Sequence, residues 1–173
     1  MKRLTLLRHA KSSWDDPGLD DFDRPLNPRG RRDAPEMGRR LRETAQVPDL
    51  MISSPAARAV TTARMVAREM GFPEGRIIED RSLYHASARE LFTIVQSLET
   101  RAGHLMLVGH NPGLTDFATN LSDARIDNLP TASLFCVDLD IIDWDQLRPG
   151  AGHFVYYDFP KNKRGSVLTI EDF

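Results

Sequence analysis

Short apolar runs alternate along the chain with longer segments whose apolar residues recur at helical spacing. The apolar runs predict buried strands over residues 4–7, 50–52, 76–79, 105–108, 133–139 and 153–157. The segments with helical spacing predict helices over residues 28–44, 55–70, 88–98 and 112–121. Residues 12–23 are polar and rich in aspartate, which predicts an exposed loop.

Local signals mark where several of these helices begin and end. Asn27 precedes Pro28 and Ser54 precedes Pro55, and each pair combines a cap residue with a first-turn proline. Residues 87–90 read Ser-Ala-Arg-Glu, the pattern of a capping box. Gly71 follows the second predicted helix and is the residue type that most often ends one.

Strands that alternate with helices require crossover connections, and these favour parallel pairing. We therefore predict an α/β fold, a single-domain three-layer sandwich with a mainly parallel sheet and helices on both faces. Residues 143–152 are polar and contain proline and glycine, so we expect a hairpin connection between the last two strands. The chain carries no internal repeat or linker, and one domain over residues 1–173 is the prediction.

Composition narrows the classes of function. The 173 residues carry a net charge of −2, which argues against a nucleic-acid or anionic-membrane binder. No stretch approaches the roughly 20 apolar residues that cross a bilayer, and the N-terminal apolar run is too short for a signal peptide, so we expect a cytoplasmic protein. The single cysteine, Cys136, excludes an internal disulfide and sits in an apolar run typical of a buried thiol.

Residues capable of chemistry follow three of the predicted strands. Arg8 and His9 end the first strand, and His110 follows the fourth. Arg58 lies in the first turn of the helix after the second strand. Because ligands of parallel sheets bind beyond the carboxyl ends of the strands, we expect these four side chains to gather at one edge.

This set of residues suits phosphoryl transfer. A neutral imidazole can attack phosphorus and carry the group as a phosphoramidate. The two arginines can each bind equatorial oxygens with a planar pair of donors, and a second, protonated histidine adds another donor. The scheme requires no metal and no cofactor.

The same residues lie in motifs that resemble those of the histidine phosphatase superfamily, also called phosphoglycerate mutase-like. Residues 6–10 (LLRHA) resemble its "RHG" signature with alanine for glycine, and residues 53–63 and 109–112 resemble its second and third motifs. Residues 24–30 (RPLNPRG) resemble a segment of its small SixA-type phosphohistidine phosphatases. The resemblance implies a phosphoglycerate mutase-like fold, His9 as nucleophile, and a phosphate pocket of Arg8, Arg58 and His110.

Two assignments in this site stay open. The resemblance makes Arg24 a further phosphate contact, whereas its neighbours Asp21 and Asp23 favour ion pairs within the loop. The family usually supplies an acidic proton donor after the third strand, but residues 83–87 (LYHAS) contain no carboxylate. His85 and a carboxylate within residues 15–23 are the alternative donors.

The missing carboxylate favours a substrate whose leaving group needs little protonation, such as phosphohistidine on a protein. We therefore predict a metal-independent phosphatase that works through a phosphohistidine enzyme intermediate. The alternatives are a phosphatase of small phosphorylated metabolites at the same site, and a non-catalytic module that binds phosphate or a phosphoprotein. No nucleic-acid or membrane partner is expected.

Overall fold

The computed structural model describes residues 1–162. The predicted single domain extends to residue 173, and residues 163–173 lie outside the described part of the chain. Within that part, none of the helices is long and apolar enough to cross a membrane.

One six-stranded sheet forms the centre of the fold, in the order β3-β2-β4-β1-β5-β6. The strands are β1 (Lys2–Arg8), β2 (Leu50–Ser53), β3 (Ile78–Glu79), β4 (His104–Gly109), β5 (Leu134–Leu139) and β6 (Gly152–Asp158). β1 to β4 pair in parallel, whereas β5 runs antiparallel to both β1 and β6. The mainly parallel sheet and the hairpin connection between the last two strands are confirmed.

Four helices cover the two faces of this sheet: α1 (Pro28–Glu43), α2 (Ala57–Met70), α3 (Ala88–Gln96) and α4 (Gly113–Leu121). Successive residues of a strand point to opposite faces, and β1 shows the division. Leu6 belongs to the core that includes the buried side chains of α3 and α4, whereas Leu7 belongs to the core under α1 and α2. The predicted three-layer α/β architecture is therefore confirmed.

The local helix signals agree with the structure at three positions. The Asn27 side chain accepts a hydrogen bond from the Gly30 N–H at 2.9 Å, and Ser87 forms a complete capping box with Glu90. Gly71 ends α2 in the left-handed conformation, with φ of 84°. These motifs involve only residues within one turn of each other, and for that reason they can be predicted locally.

Two predicted boundaries were wrong. α2 begins after Ala56 without a side-chain cap, and the Ser54 hydroxyl lies 2.7 Å from His110 Nε2 and accepts from the Ala56 N–H at 3.3 Å. The strand predicted over residues 76–79 is only Ile78–Glu79, and it follows a 3-10 turn over Glu74–Arg76. Both residues of this edge strand are exposed, so the apolar run was not evidence of burial.

The strand register brings the chemically active segments together. Arg8 pairs with Gly109 across β1 and β4, and Ser53 pairs with Val108 across β2 and β4. The residues that follow these three strands therefore leave the sheet side by side at its carboxyl edge.

Candidate active site

Two buried histidines form the centre of this edge. The ring centroids of His9 and His110 are 5.2 Å apart, and the residues are 7% and 4% exposed. They come from the ends of the adjacent strands β1 and β4. His9 and His110 therefore lie next to each other, as their positions in the sequence predict.

The hydrogen bond of His9 determines which ring nitrogen can react. His9 Nδ1 lies 2.7 Å from the carbonyl oxygen of Ala10, and because a carbonyl only accepts, Nδ1 carries the proton. Burial, together with the nearby charges of Arg58, Arg8 and Arg24, lowers the pKa of His9 to about 3. At neutral pH the ring is thus uncharged, with a free electron pair on Nε2.

His110 is held by a different partner. Its Nε2 lies 2.7 Å from the Ser54 hydroxyl, and its buried Nδ1 has no hydrogen-bond partner within residues 1–162. Burial lowers its pKa to about 2, and the positive charge of Arg58 acts in the same direction. The imidazole of His110 is therefore neutral in this structure, and a protonated His110 that donates to bound phosphate stays a prediction.

The two arginines of the predicted pocket are fixed by backbone carbonyls. Arg58 is 3% exposed and donates from Nη1 to the carbonyl oxygen of Asp21 at 2.6 Å. Arg8 donates from Nη1 to the carbonyl oxygen of Leu129 at 2.6 Å. The Nε of Arg8 is buried and has no partner in the described chain, which leaves one unsatisfied donor beside His9.

The guanidinium of Arg24 is hydrogen-bonded to the loop that precedes it. Its Nε donates to the Ser13 carbonyl, its Nη1 to Asp21 Oδ1 and its Nη2 to the Ser12 hydroxyl, at 3.0, 2.9 and 2.5 Å. Trp14 covers the guanidinium, with the ring centroid 3.2 Å from Cζ. These contacts are those of the ion-pair alternative, and the phosphate-binding role of Arg24 stays a prediction.

Asp21 joins the loop to the rest of the site. Its Oδ2 accepts from Arg58 Nη2 at 2.9 Å and from the Tyr84 hydroxyl at 2.6 Å, and it lies 3.0 Å from His85 Nε2. Partial burial raises the pKa of Asp21, but hydrogen bonds from Tyr84, Arg58 and Arg24 outweigh it and hold the pKa well below its usual range. Asp21 is therefore an ionised carboxylate.

Several residues of the site were missed by the sequence analysis. Ser54 orients His110, and Thr62 links two motifs by accepting from the Ala10 N–H at 2.9 Å and donating to the Arg58 carbonyl at 2.7 Å. Tyr84 packs its ring edge against His110, with centroids 5.4 Å apart. Thr62 follows Arg58 by one helical turn, so the helical spacing was the available signal for it.

A metal site is not part of this arrangement in the described residues. Among residues 1–162, no group of three histidine, cysteine, aspartate or glutamate side chains is placed to hold a metal ion. The buried Cys136 lies in β5 away from the strand ends, and burial raises the pKa of its thiol to about 11.

The chain is similar to several known proteins in sequence and in fold. A family model described as the histidine phosphatase superfamily (branch 1) matches residues 4–88. An uncharacterized chloroplastic protein of Arabidopsis thaliana is 38% identical over 133 residues, 72% of this chain and 61% of its own length. This chain thus spans less than two thirds of that relative.

Solved structures match over almost the whole chain. The SixA protein from Agrobacterium tumefaciens is 28% identical, with a TM-score of 0.78 over 92% of this chain and 98% of that one. A tungstate complex of the protein histidine phosphatase SixA has 19% identity and a TM-score of 0.77, covers 91% of this chain and 97% of that chain, and shows the same fold.

Over residues 4–88 the chain matches the histidine phosphatase superfamily, and its fold is that of the SixA structures. Within that superfamily, the chain is similar to the SixA-type branch, with which it shares its fold over 92% of its length.

Proposed function

We propose that this phosphatase transfers a phosphoryl group to His9 without a metal ion, and that its substrate is phosphohistidine on a protein. The observation that carries the proposal is the state of His9. The Ala10 carbonyl holds the proton on Nδ1, which leaves the electron pair on Nε2. Burial and the charges of Arg58, Arg8 and Arg24 lower the pKa of His9 to about 3. Such a ring is a nucleophile at neutral pH without any prior loss of a proton.

The reaction has two steps. In the first, His9 Nε2 bonds to phosphorus while the bond from phosphorus to the leaving nitrogen breaks, and the leaving imidazole takes up a proton. In the second, a water oxygen bonds to phosphorus, the bond to His9 breaks, and inorganic phosphate leaves. Arg8, Arg58 and His110 supply the donors that match the negative charge of the equatorial oxygens.

The choice of phosphohistidine rests on the proton balance of the first step. Asp21 is ionised and therefore holds no proton to donate, and residues 83–87 contain no carboxylic acid. An imidazole is a much weaker base than an alkoxide, so it leaves phosphorus with less assistance from an acid. The SixA protein from Agrobacterium tumefaciens, 28% identical to this chain, has the name of a phosphohistidine phosphatase, and this supports the same substrate class.

The test compares phosphate release from a phosphohistidine-bearing protein and from an aryl phosphate, with EDTA present throughout. The wild type is expected to favour phosphohistidine, and His9→Ala is expected to lose turnover of both substrates. His153→Ala is the control, because His153 is exposed on β6 and has no place in the site. Most activity retained in His9→Ala would disprove the proposal, and no turnover by the wild type would favour a phosphate-binding module.

One observation favours the second candidate, a phosphatase of small phosphate monoesters at the same site. An ester leaving group needs a proton, and the paired side chains of Asp21 and His85 lie beside His110. Equal or faster cleavage of esters in the same assay would select this candidate over phosphohistidine.

A further inference from the structure

His85 has a backbone conformation that its surroundings must enforce. Its φ is 53°, in the left-handed region that residues with a side chain rarely adopt. The next residue, Ala86, is in close contact with α4, since a Cβ on Gly113 would lie 1.8 Å from the Ala86 carbonyl oxygen. Strained positions of this kind concentrate at functional sites.

The imidazole of His85 lies beside that of His110, which in turn lies beside that of His9. Its ring centroid is 4.1 Å from that of Tyr84 and 5.4 Å from that of His110. The side chain is 52% exposed, whereas His9 and His110 are almost completely buried. Of the three rings in this group, His85 is the one that an exchanging proton or a departing group can reach from solvent.

Asp21 determines how the ring is held. Its Oδ2 lies 3.0 Å from His85 Nε2, and because Asp21 is ionised it can only accept, so Nε2 carries a proton. The same oxygen accepts from Tyr84, whose ring lies against that of His85. A carboxylate that holds one nitrogen leaves the other, Nδ1, to exchange protons.

Space for a leaving group adjoins His85. A groove of about 480 Å³ includes Tyr84 and His85 in its lining and continues along α3 past Arg89 and Thr93. A substrate with its phosphoryl group at His9 and His110 could place its remaining part in this groove.

We propose that His85, oriented by Asp21, is the proton donor to the leaving group, and that it extends the substrates to phosphate esters of poorly leaving alcohols. The inference rests on the proposed function, because it requires attack by His9. As the phosphorus–oxygen bond breaks, the proton on His85 Nδ1 passes to the leaving oxygen, while the proton on Nε2 stays on that nitrogen, hydrogen-bonded to Asp21. In the second step Nδ1 takes a proton from the attacking water, which restores His85.

The test measures kcat/KM for a series of phosphate esters whose leaving groups range from a nitrophenol to an alkyl alcohol. A proton donor matters most when the leaving oxygen is strongly basic. His85→Asn should therefore lose about 100-fold on the alkyl ester and only a few-fold on the nitrophenyl ester. Asparagine is chosen because it tolerates the left-handed backbone, and His85→Gln serves as a second variant.

Asp21→Asn tests the orienting carboxylate. It should show the same dependence on the leaving group as the His85 variants, with a smaller loss. His153→Asn is the matched control and should leave the whole series unchanged. Far-ultraviolet circular dichroism and urea unfolding establish that each variant is folded.

Three results would overturn this proposal while leaving attack by His9 intact. The first is an equal loss on all esters in the His85 variants. The second is wild-type enzyme that cleaves phosphohistidine and no alkyl ester. The third is tighter binding of inorganic phosphate by Asp21→Asn with unchanged leaving-group dependence, which would make Asp21 a cover over Arg58. Activity retained in His9→Ala would instead disprove the proposed function.

Discussion

At the scale of single residues, the reactivity of the site comes from how each imidazole is held. A carbonyl fixes the proton of His9 on Nδ1, a serine hydroxyl holds His110, and a carboxylate holds His85. The three partners differ in chemistry, and for that reason we propose three different roles for the same side chain: nucleophile for His9, phosphate ligand for His110 and proton donor for His85. None of the three roles follows from the residue type alone.

Ser54 provides a direct test of this view. Ser54→Ala removes the hydroxyl 2.7 Å from His110 Nε2 and leaves a buried imidazole free to turn. We expect a fall in kcat/KM of about tenfold, equivalent to one hydrogen bond of ordinary strength. Steady-state kinetics on an aryl phosphate measure it.

Ser53→Ala is the matched control for that variant. The Ser53 hydroxyl donates to the Ser54 carbonyl, and the residue is equally buried. If both variants lose activity to the same extent, the contact between Ser54 and His110 has no special role in catalysis.

At the scale of elements, close backbone approaches decide where the loops of the site lie. Gly113 begins α4, and a Cβ there would lie 1.8 Å from the carbonyl oxygen of Ala86. Gly30 in α1 is similarly close to Lys11, because a Cβ on Gly30 would lie 2.2 Å from the Lys11 carbonyl oxygen. Each contact sets a helix against a segment that carries or flanks the site.

Gly113→Ala should therefore separate α4 from the segment that carries His85. We expect a loss of free energy of unfolding of about 1–3 kcal/mol, the usual cost of overpacking, because backbone atoms cannot move aside. Gly75→Ala is the control, since no atom lies within 4 Å of a Cβ built there. Urea unfolding that gives the same midpoint for both variants would contradict the close approach.

The ends of the helices also show which sequence signals were sufficient to predict them. Caps at Asn27 and Ser87 and the helix end at Gly71 depend on residues close in the chain, and these predictions hold. Ser54 carried the same local signal as Asn27, but a residue 56 positions away competes for its hydroxyl. A pattern of neighbouring residues gives no information about a hydrogen-bond partner that is so distant in the sequence.

At the scale of the whole molecule, burial of neutral imidazoles links stability to pH. The pKa values of His9, His110 and the partly buried His104 are lowered to about 3, 2 and 4. The unfolded chain takes up protons on these rings below about pH 6.5, whereas the folded chain does not. Stability is therefore complete above that pH and falls as the pH is lowered towards each folded value.

Each of these rings should contribute a slope of about 1.4 kcal/mol per pH unit at most in this window. Urea unfolding between pH 7.5 and pH 5 is expected to show the loss, and His104→Gln should reduce the slope without entering the active site. His153→Gln, at an exposed position, is the control. A midpoint that does not change over this range would refute the assignment of neutral buried rings.

The sequence by itself was enough to predict the order of strands and helices along the chain. It also identified four candidate site residues: Arg8, His9, Arg58 and His110. Hydrophobic periodicity is local, and parallel strands place their carboxyl ends at one edge, so residues that follow those strands must meet. The tertiary structure alone decided that Ser54 holds His110 and that Asp21 contacts His85, 64 positions along the chain. Those contacts depend on how the loops cross the edge of the sheet. The course of each loop is determined by packing against distant parts of the chain, so the residues near either partner do not predict it.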